Sequence, residues 1–393
     1  MTLGIFPGYL VAVCDSYKSI IYCSSSAYAL GRTLTGVTRG EVKNEFAYWF
    51  AFYIFCLIIH LYGGKNFWRF NSMLAVLSVL ILFMYIFGSI KFADFNEYAP
   101  YPDEEGVDKW FQGGMYEFMY VLPLGTRFFQ GIQSINLACG HIKNPKTEVP
   151  KGYLGAMTFT LFTSFAVLFL GASLYPGIVD FSIRGRPLTN GFKLMFALPR
   201  FRATIFNIPA TIMAGFGFMY FYGQQLLAMG KSGLLNPVFG KEIPGHDTPY
   251  VALLVGSALG YMLCVIKWYY PDTDDQIYAL SLLGAVTTYL SILCSFIVFR
   301  WYFPTIKREF VSPVGVGGAV YAILVFSLCF ISVCGFQKDQ IAITVYGVII
   351  GVASIYYYLV VQKRQVFSEE EKTVMFKAYL MQSKIKHVYT SAL

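Results

Sequence analysis

Apolar runs of membrane-spanning length recur along the 393-residue chain, and short polar stretches rich in Gly and Pro separate them. A helix needs about 20 apolar residues to cross a bilayer. By this measure the pattern predicts an all-α, polytopic membrane protein with about ten transmembrane helices. The predicted segments are Leu3–Leu34, Phe46–Leu61, Phe70–Ile90, Met115–Gly140, Tyr153–Tyr175, Ala203–Met229, Tyr250–Trp268, Ile277–Phe303, Val314–Phe336 and Ile341–Val361.

These segments form one predicted transmembrane domain, residues 1–366, and a cytosolic tail of residues 367–393 follows it. An even number of segments places both chain ends on one side, and the basic residues between segments weakly favour the cytosol. In the tail, Ser368 and Glu371 form a capping-box pattern, which predicts a short helix. That helix is expected on the inner leaflet, with a solvated tail as the alternative.

The fourth segment is interrupted at membrane depth. Apolar sequence from Met115 to Phe129 predicts a helix that loses regularity over 130–134 and resumes over 135–140. Glycine weakens a helix by about 1 kcal/mol relative to Ala, and non-helical backbone inside a membrane needs protein or a wet cavity around it. A Gly-interrupted membrane segment is typical of a transporter binding site; a kinked, merely packed helix is the alternative. The candidate substrate-binding residues are Phe129, Gln130, Gly131, Gln133, Ser134 and Asn136.

Three charged residues are functional candidates because they lie at predicted membrane depth, where charges are rare. Asp15 and Lys18 are three residues apart in the first segment, so they share a helix face and can pair. The pair is either a self-neutralised packing element or part of the substrate path. Arg127 stands three residues before the break and keeps its proton, so it is predicted to face the cavity as a gate or carboxylate ligand.

Two later segments carry weaker candidates. Gly215 and Gly217 in the sixth segment predict close helix approach, which is more often packing than binding. The side chains that are weaker candidates for lining a cavity are Tyr220, Tyr222, Ser281, Thr287, Thr288 and Tyr289.

Composition excludes several classes of function. Charged residues make up 13% of the chain and hydrophobic residues 56%, whereas globular proteins carry about 25% charged residues. The net charge of +8 is scattered between apolar runs, so a lipid bilayer and not a nucleic acid is the expected partner. The eight cysteines form no CxxC or Cys/His cluster, and no catalytic motif is present. Neither a metal, a cofactor nor enzymatic activity is therefore expected.

Several runs of the sequence resemble amino acid permeases. The break and its continuation, Phe128–Cys139 with Ile142–Lys146 and Val149–Gly152, resemble the sixth helix of that family. There the pattern reads roughly F-x-G-x-E, then E-x-x-K-N-P-K and a closing I-P-R-G. Gly63–Arg69 and Lys231–Pro237 are further matches. The family is the amino acid–polyamine–organocation superfamily, and the sequence is most similar to its ethanolamine-permease-like branch.

The resemblance implies a core of two inverted five-helix repeats followed by two C-terminal helices. The ten segments would correspond to family helices three to twelve, so the core is incomplete at its start. The family's first helix carries a Gly-rich broken run, and no such run precedes Leu3. Gln133 stands where relatives often have Glu, and Arg127 stands where they often have a gating aromatic. The loop Thr35–Glu45 has no Cys, so no disulfide-linked heavy subunit is expected.

The resemblance therefore implies secondary active transport of an amino acid, polyamine or small amine such as ethanolamine, by alternating access around the break. Asp15 and Lys18 are expected across the cavity from it. By analogy a coupling proton is favoured over sodium. The alternative is a non-transporting truncated homologue that acts as a fragment, scaffold or binding subunit, which the missing helices favour. The plasma membrane is the default location.

Overall fold

The computed structural model describes residues 2–102, 108–109, 113–178, 187–245, 247–304, 308–337, 340–366 and 372. Within these ranges most of the chain is helical. The α-helices are α1 (Ile5–Thr38), α2 (Glu45–Tyr62), α3 (Gly64–Ser89), α4 (Phe95–Tyr98), α5 (Gly114–Gly125), α6 (Pro145–Ser173), α7 (Pro187–Phe196), α8 (Arg200–Ala203), α9 (Ile208–Lys231), α10 (Tyr250–Tyr269), α11 (Thr273–Tyr302), α12 (Gly315–Gly335), α13 (Ile341–Tyr356) and α14 (Gln362–Arg364).

Shorter elements connect these helices. Two two-residue strands, β1 (Tyr101–Pro102) and β2 (Asp108–Lys109), pair antiparallel. A π-helical stretch, Tyr357–Val361, follows α13. The predicted tail helix at Ser368 lies outside the described residues, which include only position 372 of the tail. The 3-10 helices are Val42–Asn44, Ile90–Phe92, Thr126–Phe129, Ile132–His141, Thr204–Asn207 and Pro237–Gly240.

Eight helical stretches in the described part of the chain are long and apolar enough to cross a membrane. They coincide with the second, third and fifth to tenth predicted segments, so the prediction of an all-α polytopic membrane protein is confirmed. The stretches are Val42–Tyr62, Gly64–Phe92, Pro145–Ser173, Arg200–Lys231, Tyr250–Tyr269, Thr273–Tyr302, Gly315–Gly335 and Ile341–Arg364.

The first predicted segment forms one continuous helix, α1, but it differs in character from these eight. It buries several polar and charged side chains, including Asp15, Ser16, Lys18 and Ser19. It packs against α2, α9, α10 and α11, and so lies within the bundle. Its polar residues are consistent with that position, because polar groups at membrane depth face protein rather than lipid.

The fourth predicted segment is broken more extensively than its sequence indicates. The helix α5 ends at Gly125, four residues before the predicted end at Phe129, and a 3-10 helix follows it. The Thr126 hydroxyl donates to the carbonyl of Pro123 at 2.7 Å, which takes up an acceptor at the end of α5. Beyond the break, the predicted α-helix over 135–140 is part of a ten-residue 3-10 helix. Such runs rarely exceed 3–4 residues and often mark a hinge or strain.

Close packing around α1 depends on glycines. A side chain at Gly31 of α1 would overlap the indole of Trp49 on α2. On α9, a Cβ at Gly215 would lie 2.5 Å from Phe52 Cζ, whereas at Gly217 no atom lies within 4 Å. The predicted close helix approach is therefore confirmed at Gly215, and Gly217 faces open space.

Gly233, in the loop after α9, packs directly on the end of the last helix. Its φ is +70°, and a Cβ at this position would overlap the carbonyl oxygen of Arg364. Beside it, the N–H of Val366 donates to the carbonyl of Ser232 at 3.0 Å. The glycine of the Lys231–Pro237 motif thus fixes the loop against the C-terminal end of the bundle.

Gly233→Ala is expected to destabilise the protein by about 2–4 kcal/mol, because left-handed strain adds to an overlap with backbone. Gly217→Ala is the matched control, since it replaces a helical glycine that has open space around it. The control is expected to be neutral or slightly stabilising. The measurement is the unfolding midpoint of each purified variant in detergent, and equal midpoints would contradict this account of the loop.

Candidate functional site

The break consists of two non-helical residues between two 3-10 helices. Gln130 is extended, with φ −70° and ψ 139°, and Gly131 is left-handed, with φ +88°. A residue with a side chain is strained at that φ, so the conformation requires glycine. The N–H of Ser134 donates to the carbonyl of Gly131 at 3.0 Å, at the start of the second 3-10 helix. The predicted loss of helical regularity at this point is confirmed.

A buried charge joins the break to α1. Gln133 Nε2 donates to Asp15 Oδ1 at 3.3 Å, and the Lys18 ammonium contacts the same oxygen. Lys18 is fully buried and Asp15 nearly so, and the predicted pairing of the two is confirmed. Among the described atoms, Gln133 Oε1 and the Ser134 hydroxyl are buried without a hydrogen-bond partner. Buried polar groups normally have a hydrogen-bond partner, so these two unpaired groups indicate that the break is a candidate ligand site.

Two tyrosines satisfy carbonyl groups next to the break. Tyr289 on α11 donates to the carbonyl of Phe129 at 3.3 Å, and Tyr153 on α6 donates to the carbonyl of Gln133 at 3.1 Å. Backbone at membrane depth needs such internal partners. Tyr289 was among the residues predicted from the sequence, whereas Tyr153 was not. The residues around a tyrosine in an apolar helix do not indicate which distant group its hydroxyl contacts.

Several other predicted residues lie apart from this cluster. Asn136 is exposed, and the side chain of Arg127 lies outside the described residues, so its gating role stays a prediction. Tyr222 is fully buried, with its hydroxyl 2.8 Å from that of Ser257, and it packs α9 against α10. The hydroxyls of three weaker candidates bond to carbonyls of their own helix, α11: Ser281, Thr287 and Thr288.

Two cavities border different parts of α9, and one of them reaches the break. The wide cavity, about 740 Å³, is bordered by the first half of α9 as far as Phe218 and reaches Gln130. There Gln130 Nε2 donates to the hydroxyl of Tyr278 at 3.2 Å. The narrow cavity, about 240 Å³, is bordered by Tyr220 and Gln224 further along the same helix. The wide cavity thus borders the start of α9 and the narrow cavity its second half.

Asp15 and Lys18 do not line either cavity, whereas the sequence analysis expected them across the cavity from the break. Their ion pair explains the difference, because neutralising each other reduces the cost of burying both. Gln133 and Ser134 are also not among the residues that line the two cavities. Among the predicted break residues, Gln130 is the one that reaches the wide cavity.

A second buried charge, which the sequence analysis missed, lies beside the wide cavity. The ammonium of Lys267 on α10 is fully buried and lies 2.8 Å from Asp274 Oδ1. It also donates to the hydroxyl of Ser25 on α1 at 2.8 Å. Asp274 is half exposed and borders the cavity. No local pattern predicts this connection between α1 and the start of α11, because Lys267 ends one apolar run and Asp274 precedes the next.

A model of the amino acid permease family matches residues 4–381, nearly the whole chain. The chain belongs to the amino acid permease family. Membership of this family and the eight apolar helices among the described residues establish an integral, multi-pass membrane protein. The resemblance found around the break is confirmed at the level of the permease family, and the branch within it stays a prediction.

Curated relatives of this permease-family chain include three transporters of Bacillus subtilis (strain 168). The branched-chain amino acid permease BcaP is 24% identical over 282 residues, which cover 70% of the chain and 57% of BcaP. The probable threonine/serine transporter YbxG is 24% identical over 251 residues, covering 61% and 53%. A methylthioribose transporter is 23% identical over 266 residues, covering 64% and 51%. The chain spans about half the length of these relatives, and the names point to transporters rather than enzymes.

Proposed function

We propose that this permease-family chain carries out secondary active transport of an amino acid, a polyamine or a small amine. The observation that carries the proposal is a helix break whose Gln130 borders a wide cavity, with a second cavity further along α9. In alternating access, one site near the membrane midplane opens to each side in turn. The names of two relatives, a branched-chain amino acid permease and a probable threonine/serine transporter, support an amino acid substrate.

The break supplies polar groups suited to such a substrate. The Gln130 amide borders the wide cavity and is placed to contact a carboxylate or hydroxyl group. Behind it, Gln133 Oε1 and the Ser134 hydroxyl have no partner among the described atoms. A rearrangement of the break would bring these two groups to a bound ammonium or hydroxyl group and satisfy them.

The charge around the wide cavity supports an amine-bearing substrate. Its charged lining residues, within the described part of the chain, are Asp274 and Asp275. Lys267 offsets the first of them, which leaves one net negative charge. A cavity of that sign concentrates ammonium-bearing solutes and repels anions.

A proton is the coupling ion that the proposal favours. Sodium prefers oxygen ligands, and Asp15 supplies a carboxylate next to the break. The ammonium of Lys18 already contacts that carboxylate and occupies the place of a metal cation beside it. A sodium ion would have to displace a fully buried Lys18, whereas proton movement requires no such displacement.

The test of the proposal is uptake of radiolabelled amino acids, ethanolamine and polyamines by the purified chain in proteoliposomes. Saturable uptake above that of empty vesicles supports transport. A folded chain that moves none of these solutes above the leak would support the alternative, a non-transporting scaffold or binding subunit.

Gln130→Ala is expected to lower the uptake efficiency about tenfold, because it removes one hydrogen-bonding group from the proposed site. Gln362→Ala is the matched control, since it removes an exposed amide from α14 and is expected to leave uptake unchanged. The measurement is the initial uptake rate over a range of substrate concentrations. Equal rates for the two variants would contradict the placement of the site at the break.

A further inference from the structure

One wall of the wide cavity holds a buried ammonium group between a hydroxyl and a carboxylate. The ammonium of Lys267 is fully buried and lies 2.8 Å from Ser25 Oγ and 2.8 Å from Asp274 Oδ1. Ser25 and Asp274 both border the cavity, and Lys267 lies behind them. The hydroxyl and the carboxylate oxygen are therefore separated by at most twice that distance, on two sides of one cation.

The Ser25 hydroxyl is used differently from other hydroxyls of α1. Several of these donate their hydrogen to the carbonyl four residues earlier, namely those of Ser16, Ser19, Ser26, Thr33 and Thr38. Ser25 Oγ instead accepts from Lys267, and among the described groups it donates to none. The Ser25 side chain is partly exposed at the cavity. Its hydroxyl hydrogen is therefore available to a ligand there.

The two groups have opposite preferences for a ligand. Hydrogen bonds in a chain polarise one another, so a hydroxyl that accepts from an ammonium group is a stronger donor. Its strongest partner is an ionised acceptor such as a carboxylate. Asp274 is half exposed and uses Oδ1 for Lys267, so its second oxygen can accept from a ligand ammonium group. An α-amino acid carries both of these charged groups on one carbon atom.

We propose that Ser25 and Asp274 bind the two charged groups of an α-amino acid. The Ser25 hydroxyl donates to the substrate carboxylate, and the Asp274 carboxylate accepts from the substrate ammonium group. Lys267 is a positioning residue, because it holds both side chains and orients the hydroxyl without reaching the cavity itself. The inference rests on the proposed function and narrows its substrates from amino acids, polyamines and small amines to α-amino acids.

The proposed contacts lie close to the helix break. Asp274 and Tyr278 are one turn apart on α11, and the Tyr278 hydroxyl accepts from Gln130 Nε2 at 3.2 Å. An α-helix rises 1.5 Å per residue, so this turn spans about 6 Å. A substrate held at Ser25 and Asp274 can therefore direct its side chain toward the Gln130 amide. The site then has a charged end at the start of α11 and a side-chain end at the break.

The test is equilibrium binding of labelled compounds to the purified full chain in detergent. Two matched pairs are used: L-serine with ethanolamine, and L-leucine with 3-methylbutylamine. In each pair the amine is the amino acid without its carboxylate, so the Kd of the amine divided by that of the amino acid measures carboxylate recognition. The wild type is expected to prefer the amino acid in each pair. Ser25→Ala is expected to lower the ratio about tenfold, because it removes one hydrogen bond to a charged group.

Three further variants serve as controls and as a second test. Ser26→Ala removes a neighbouring hydroxyl that also borders the cavity but donates to the carbonyl of Tyr22 at 3.0 Å, and it is expected to leave the ratio unchanged. Ser25→Thr keeps the hydroxyl and is expected to keep the ratio. Lys267→Met is expected to lower the ratio as well, and it tests the site independently if Ser25→Ala does not give a monodisperse protein.

The outcomes separate this site from the proposed transport. If the ratio falls in Ser25→Ala but not in Ser26→Ala, and the wild type takes up no substrate in proteoliposomes, the site stands and the transport proposal fails. If the wild type takes up substrate but binds each amine as tightly as its amino acid, the site is overturned. It is also overturned if Ser25→Ala weakens both members of each pair equally.

Discussion

Lys18→Met is expected to destabilise the protein by about 3–5 kcal/mol, because it leaves Asp15 buried without its counter-charge. Lys18 is fully buried and contacts Asp15 Oδ1, the same oxygen that accepts from Gln133. Loss of the ion pair is also expected to disturb the break, because the Asp15 carboxylate links α1 to Gln133. Because Met is about as long as Lys, the loss of stability would come from removal of the charge and not from a cavity left by a shorter side chain.

The double variant Asp15→Asn/Lys18→Met is expected to recover most of this loss. It removes both charges and keeps an acceptor for Gln133, and neutral replacement of a buried pair is often tolerated. The measurement is the midpoint of chemical denaturation in detergent micelles for the wild type, the single variant and the double variant. A double variant as unstable as Lys18→Met would show that the charge pair is not the cause.

The second ion pair is expected to respond unequally to loss of its two members. Asp274→Ala leaves the fully buried Lys267 without its carboxylate, at a cost of about 3–5 kcal/mol. Lys267→Met leaves Asp274, whose side chain is half exposed, so water can solvate the remaining charge. That change is expected to cost only about 1 kcal/mol, as for an exposed pair.

The same denaturation measurement compares Asp274→Ala with Lys267→Met, and Asp275→Ala is the matched control, because it removes an exposed neighbouring carboxylate. The expected order of stability is Asp275→Ala, then Lys267→Met, then Asp274→Ala. A result in which Lys267→Met is the least stable of the three would contradict this account, because the account attributes the largest loss of stability to an unpaired, buried Lys267 ammonium.

The membrane helices and the break could be predicted because their signals are local. An apolar run of sufficient length predicts a span without reference to any other segment, as for Tyr250–Tyr269. Gly131 with polar neighbours predicted an interruption, and the three-residue spacing of Asp15 and Lys18 predicted their pairing. Each of these features depends on residues within one or two helical turns.

Long-range contacts were not predictable in the same way. The links from Gln130 to Tyr278 and from Lys267 to Ser25 join residues far apart in sequence, and no periodic pattern connects them. The early end of α5 also escaped prediction, because Pro123 near the end of an apolar run fits either a kinked or a terminated helix. The burial of Asp15 and Lys18 away from the cavities follows from how α1 packs, and a single sequence does not determine that packing.

The measurement that tests the central claim most directly is equilibrium binding of labelled amino acids and amines to the purified chain in detergent. Wild type, Gln130→Ala and Gln362→Ala are compared under identical conditions. The account predicts saturable binding by wild type and Gln362→Ala, and clearly weaker binding by Gln130→Ala. Saturable binding of equal strength in all three proteins would contradict the claim that the helix break is the substrate site.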